Sequence, residues 1–340
     1  MTTPASGPES DSPTDPPAGD AIGARPGLST FTIEGRSAPA LFVIGWLATL
    51  LGLGVTAVAI LSRAGLTSNV LLIAGLALLS IGLVAAAGSQ GLERRARGTA
   101  SYAGPSPLLV FGASIPVSIL FLVVISLPLD ALGVPLDGPL GSLFSVVVQA
   151  VVYVALIRLL VVDTGALGWR AMGVRRLDLP ALGEIAGGAL WALPVIVATI
   201  PLSLILLAIF PVTPESPLPP SGEPVGFALS MIAGAVVAPF GEEVLFRAFA
   251  TTAWVRGMGV RRGLVRAALV FAIAHILTIS GSSAGDAIGL AVVGFATRIP
   301  IALALGVLFV RRGTIWSSFG LHAAFNGILL VVAEVASRTI

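Results

Sequence analysis

Gly241-Glu242-Glu243-Val244-Leu245-Phe246-Arg247 lies near the end of a run, Gly226 to Ala250, that is otherwise almost wholly apolar. A run of that length reads as a membrane helix, which needs about 20 apolar residues to cross about 30 Å of hydrocarbon. Two carboxylates and a guanidinium inside it demand a reason. A charged side chain at the centre of a bilayer costs ~2.5–3.5 kcal/mol even on lenient insertion scales, so such residues face a bundle interior or a water-filled cavity and mark function. The stretch therefore decides two things together: the fold is a bundle of membrane helices, and its site lies inside the membrane.

Composition supports the first point. Hydrophobic residues are 56% of the 340, charged residues only 11%, and mean hydropathy is +1.01, which no ordinary soluble domain reaches. The formal net charge is only +2, and no run of basic and aromatic residues suggests a nucleic-acid partner. All 19 basic residues are arginine. Cysteine is absent, which excludes disulfides, thiolate metal ligands and a cysteine nucleophile.

Residues 1–38 are rich in Pro, Ser, Thr, Gly and Asp and poor in aliphatics, so a disordered cytoplasmic tail is expected there. The stretch lacks the basic start and apolar core of a signal peptide. Nine apolar runs follow: Leu41–Leu61, Leu66–Gly88, Leu108–Leu127, Gly141–Val162, Ile185–Phe210, Gly226–Ala250, Gly263–Ser280, Ala287–Val310 and Ile315–Glu334. Short cytoplasmic loops retain positive charge. Arginines cluster after every second run, at Arg94, Arg95 and Arg97, at Arg170, Arg175 and Arg176, at Arg256, Arg261 and Arg262, and at Arg311 and Arg312. The alternate loops hold almost none, Arg63 being the exception.

The expected fold class is thus all-α, a polytopic integral membrane helical bundle of about nine transmembrane helices, or eight if the run containing Arg298 and Pro300 does not cross. Residues 39–184 are read as N-terminal transmembrane helices and residues 185–340 as the core that carries the chemistry. The expected location is a bacterial cell membrane with the N-terminus cytoplasmic. No internal repeat of the kind found in many transporters is visible.

Depth tests whether scattered polar residues can meet. At 1.5 Å per residue, Glu242, His275 and His322 lie roughly 13, 18 and 11 Å above the cytoplasmic ends of their runs, in one layer below the midplane. His275 and His322 are the only histidines of the chain. Glu243 and Arg247, four apart, are placed for a helical ion pair, which leaves Glu242 as the freer carboxylate and a candidate general base. Phe271 and His275 share a face one turn apart. His322 and Asn326 do likewise and could donate hydrogen bonds to one point, as an oxyanion requires. Each motif alone also suits a structural role, as a Glu–Arg clamp or as interhelical hydrogen bonds.

Together, Glu-Glu-x-x-x-Arg (Glu242, Glu243, Arg247), Phe-x-x-x-His (Phe271, His275) and His-x-x-x-Asn (His322, Asn326), in that order on successive membrane helices, resemble the CAAX-protease and bacteriocin-processing family of intramembrane endopeptidases, also called Abi or CPBP proteins. The resemblance covers about Gly226 to Val331. It implies that Glu242 and His275 activate water, that His322 and Asn326 stabilise the oxyanion, and that Glu243, Arg247 and Phe271 support the site. It implies as partners the lipid bilayer and a hydrophobic or lipidated peptide substrate, with no nucleic acid. Two histidines and a glutamate could also hold zinc, through Glu242, His275 and His322. A cofactor-free mechanism is favoured, because the ligands would come from three helices and the His-Glu-x-x-His pairing of zincins is missing. The other readings are a non-catalytic scaffold or immunity protein of the same fold, and a proton-coupled transporter. The resemblance assigns no role to Arg298.

Overall fold

The computed structural model describes residue 33 and residues 35–98, 101–134, 136–214 and 221–339. The tail expected over residues 1–38 lies outside the described residues but for its last few. All regular structure among the described residues is helical. The helices are α1 (Pro39–Leu61), α2 (Leu66–Arg97), α3 (Pro107–Ala131), α4 (Pro139–Val162), α5 (Leu179–Ala189), α6 (Ala192–Ile209), α7 (Pro224–Met258), α8 (Val260–Ala274), α9 (Ala284–Arg312) and α10 (Ile315–Thr339). Proline opens α1, α3, α4 and α7, where its missing N–H and fixed φ cost nothing. Asp178 caps α5 through the Ala181 N–H at 3.0 Å, and Ser283 caps α9 through the Asp286 N–H at 3.1 Å.

Eight helices are long and apolar enough to cross a membrane, counting α5 and α6 as the single run Leu179–Ile209. The architecture is therefore the polytopic helical bundle expected, and one of the nine runs forms a helix too short to span by itself. The run that falls short is Gly263–Ser280, not the one with Arg298 and Pro300. The latter forms one continuous helix, Ala284–Arg312, through its internal proline. In contrast α8 has only 15 residues, about 22 Å of helix, and stops at Ala274. The physical reason lies in His275. Its Nδ1 donates to the Phe271 carbonyl at 2.8 Å, satisfying an acceptor that a continuing helix would leave to the backbone. Residues 275–283 then complete the path to α9.

Two close crossings set the frame. In α1 and α2, Gly45, Gly52, Gly75 and Gly82 repeat every seven residues along one seam; a Cβ at Gly52 would stand 2.3 Å from the Leu79 nitrogen. Small residues at such interfaces let backbones meet where no hydrophobic effect drives association. The second crossing bears on the site, because α10 carries His322. A Cβ on Gly188 of α5 would stand 1.9 Å from the Ser317 carbonyl oxygen, and one on Gly320 2.0 Å from that of Ile185.

Loop contacts sort the two ends of the bundle. Arg95 donates to the Thr164 carbonyl, Ser101 to that of Arg256, the Ile315 N–H to Gly173 at 3.1 Å and the Trp316 indole N–H to Arg175 at 3.2 Å. All four arginine-bearing loops therefore share one end, as their alternation in sequence requires. At the other end the Ser221 N–H reaches Glu334 at 3.0 Å, and Gly289 packs on Phe210 and Val212.

Because the chain has no cysteine, single-cysteine labelling tests this cleanly. Ser101→Cys, Asp163→Cys and Gly257→Cys are expected to react with an impermeant thiol reagent from one side of the membrane, and Ser62→Cys, Asp130→Cys and Ser282→Cys from the other. Packing has its own test. Gly188→Ala should lower the detergent melting point, at a cost of about 1–3 kcal/mol for overpacking. Gly183→Ala, whose Cβ meets nothing within 4 Å, should be neutral or slightly stabilising.

Candidate active site

Four helices converge where the motif residues lie. The central one, α7, is irregular: Ile232–Val237 and Glu243–Thr251 are wound as π-helix. Such widening within α-helices concentrates at functional sites, and it frees backbone groups from the regular ladder. Side chains take them up here. The Thr251 hydroxyl donates to the Phe246 carbonyl at 2.7 Å, and the Asn326 amide donates to the Gly234 carbonyl at 3.0 Å.

Glu243 is 0% exposed, Arg247 2% and His322 3%. The Glu243 Oε1 lies 3.0 Å from His322 Nδ1 and 3.6 Å from an Arg247 NH atom. A second guanidinium nitrogen of Arg247 donates to the Ala302 carbonyl of α9 at 3.4 Å, and the group lies over the Phe271 ring, 4.2 Å from its centroid. Phe271 therefore touches the cation on one side, while its ring centroid is 4.4 Å from that of His275 and 5.8 Å from that of His322. It is the wall against which both imidazoles stand.

Glu242 is partly exposed, and its Oε2 is the point of convergence. His275 Nε2 lies 3.6 Å and His322 Nε2 3.7 Å from that oxygen, which has no hydrogen-bond partner among the described residues. Hydrogen-bond chemistry assigns the protons. Both Nδ1 atoms face acceptors, the Phe271 carbonyl and the Glu243 carboxylate, so each carries a proton. A neutral imidazole then presents a lone pair at Nε2. Three acceptors face one small volume with no donor among them. Such a volume suits a water molecule, which donates two hydrogen bonds and keeps a lone pair.

The structure thus brings Glu242, Glu243, Arg247, Phe271, His275 and His322 into one cluster. Asn326, one turn along α10, is engaged with Gly234 through one amide N–H and keeps a second. Two further residues belong to the electrostatic surroundings. Arg298 of α9 lies within electrostatic range of Glu242 and His275, and its guanidinium donates to the Gly294 carbonyl at 3.1 Å. Buried Tyr153 of α4 also feels the Glu242 charge, and its ring packs beside Gly241. Arg298 stood out in sequence only as a cation in an apolar run. Tyr153, in an apolar run of its own, gave no signal beyond being one of two tyrosines.

Comparison with known proteins points the same way. Residues 224–328 match the family described as type II CAAX prenyl endopeptidase Rce1-like, leaving α1 to α6 outside the match. The chain matches no curated protein and no solved structure. The matched segment holds all three motifs and the whole of the Glu242 cluster, so it is the site-bearing part of the chain, residues 224–328, that is similar to the Rce1-like type II CAAX prenyl endopeptidase family.

Proposed function

We propose that this chain is an intramembrane endopeptidase that hydrolyses a peptide bond in a hydrophobic or lipidated, membrane-associated peptide close to the cytoplasmic leaflet. The observation that carries the reading is the pair of histidine Nε2 atoms, 3.6 and 3.7 Å from one Glu242 oxygen. A water held there gives one proton to Glu242 as its oxygen attacks the carbonyl carbon, and the carbonyl becomes an oxyanion. Glu242 then passes that proton to the leaving amine as the C–N bond breaks, which restores the carboxylate. Asn326 has one amide N–H left for the oxyanion. A donor role for His322, as the family resemblance suggests, requires protonation on both nitrogens, because its Nε2 faces Glu242. In this reading Glu243 and Arg247 act by fixing His322. The arginine-bearing end is taken as cytoplasmic from the distribution of positive charge. His322 lies about 10 Å from that end at 1.5 Å per residue, hence the leaflet proposed.

Glu242→Gln should leave abundance and melting unchanged while lowering cleavage by about 10²–10⁴, the range for loss of a general base. Comparative proteomics of membrane peptides in strains with and without that change reads the outcome; cleavage that persists unchanged sinks the assignment. Arg247→Ala should behave differently, destabilising the protein by roughly 3–5 kcal/mol because an unpaired buried carboxylate remains. Wild-type melting with lost activity would instead make Arg247 part of the chemistry.

Glu242, His275 and His322 are also the donor types that zinc takes, at about 2.0–2.2 Å from the metal. The three donors come from three different helices and the His-Glu-x-x-His pairing of zincins is missing, so the metal-free route is proposed. Chelator-treated enzyme should keep its activity without bound metal. Stoichiometric zinc whose removal abolishes cleavage, and whose return restores it, would overturn that choice.

A further inference from the structure

The loop between α4 and α5 holds a cavity of about 700 Å³ lined by Arg170, Val174, Arg175, Arg176 and Asp178. The loop is anchored. Met172 is fully buried, Gly173 adopts φ +72° and accepts the Ile315 N–H, and the Arg175 carbonyl accepts the Trp316 indole N–H. Its three arginines differ from those of neighbouring loops. Arg94 donates to the Gly104 carbonyl, Arg95 to that of Thr164, and Arg312 pairs with Glu184 at 3.9 Å. The guanidinium groups of Arg170, Arg175 and Arg176 have no hydrogen bond or ion pair with any described residue. The one carboxylate in the cavity wall, Asp178, is turned to the start of α5 as its cap.

Retention of positive charge on one side of a membrane needs arginines in the loop but not a ring of them around a cavity. A second observation identifies the occupant. The same segment exposes Leu177 (60%) and Leu179 (83%), with Leu182 (51%) one turn into α5. Unpaired guanidiniums beside exposed leucines at the end of a membrane helix complement a molecule that is anionic at one end and apolar at the other. An inorganic phosphate uses only the first feature. We propose that the cavity is a binding site for an anionic phospholipid, its phosphate held by Arg170, Arg175 and Arg176 and its acyl chains lying along Leu179 and Leu182. This site is separate from the Glu242 cluster and stands whether or not the chain is a peptidase.

Native mass spectrometry of the full-length protein in neutral detergent, titrated with phosphatidylglycerol, tests it. Wild type should retain one lipid more tightly than it retains phosphatidylcholine. The triple variant Arg170→Gln/Arg175→Gln/Arg176→Gln should bind on the order of 100-fold more weakly, at about 5-fold per arginine near an anionic headgroup. Arg261→Gln/Arg262→Gln, which removes two charges from the start of α8 at the same end, should bind as wild type does. Should the triple variant fail to fold, Arg175→Gln and Arg176→Gln singly should each weaken binding about 5-fold. The proposal falls if phosphatidylglycerol binds no better than phosphatidylcholine, or if the control variant loses binding equally. It also falls if neither single variant has an effect, or if inorganic phosphate or hexaglutamate displaces the lipid.

Discussion

One carboxylate with no contact to solvent, Glu243, holds the site together. It meets His322 of α10 and Arg247 of its own helix, and Arg247 reaches the Ala302 carbonyl of α9 and the Phe271 ring of α8. A single buried charge pair therefore joins four helices. Desolvating two ions is costly, and their attraction offsets the cost only while both are present and hydrogen-bonded. The pair is better understood as fixing geometry than as adding stability. With Glu243 accepting at Nδ1, the other nitrogen of His322 is directed at Glu242. That single hydrogen bond determines which chemistry the neighbouring carboxylate can support.

Much of this was legible in the sequence. Run lengths located the helices, and the arginine alternation anticipated the loops that meet at one end. Equal depth suggested that Glu242, His275 and His322 lie in one layer, and the structure brings them together. Other features had no periodic signature. After its opening Gly263 the apolar run through Ser280 contains no glycine or proline, so nothing in its pattern announced that α8 ends at Ala274. That ending is a side-chain event, the His275 imidazole taking the Phe271 carbonyl. Pro300, a helix breaker by propensity, left open whether its run crosses, and it sits inside a continuous helix among packed neighbours. Arg298 and Tyr153 could not be assigned from their own segments, because what gives them meaning is a charge on α7.

The short α8 also explains how a histidine comes to stand at the edge of a helix deep in an apolar protein. Non-helical backbone is tolerated at such depth only where protein or a polar cavity satisfies it. The turn hydrogen bonds from the Ile276 and Ile279 N–H groups, at 3.0 and 3.2 Å, supply part of that satisfaction. His275 is consequently held by its own ring and by the end of its helix, and a quarter of its side chain remains accessible beside Glu242. Access and rigidity are combined at the position where a reacting water would have to enter and leave.

The π winding from Glu243 to Thr251 makes length as constraining as composition. Replacing Val244 or Ala248 by another apolar residue disturbs local packing and leaves the phase of α7 alone. Deleting one residue there, with the winding of the rest kept, removes that residue's share of the turn, on the order of 100°, from everything beyond it. Trp254, which lies under the Arg266 guanidinium, and the start of α8 would turn with it, carrying Phe271 off its place beneath Arg247. An inventory of motif letters would score such a chain as intact, yet its charges and imidazoles would no longer share a centre.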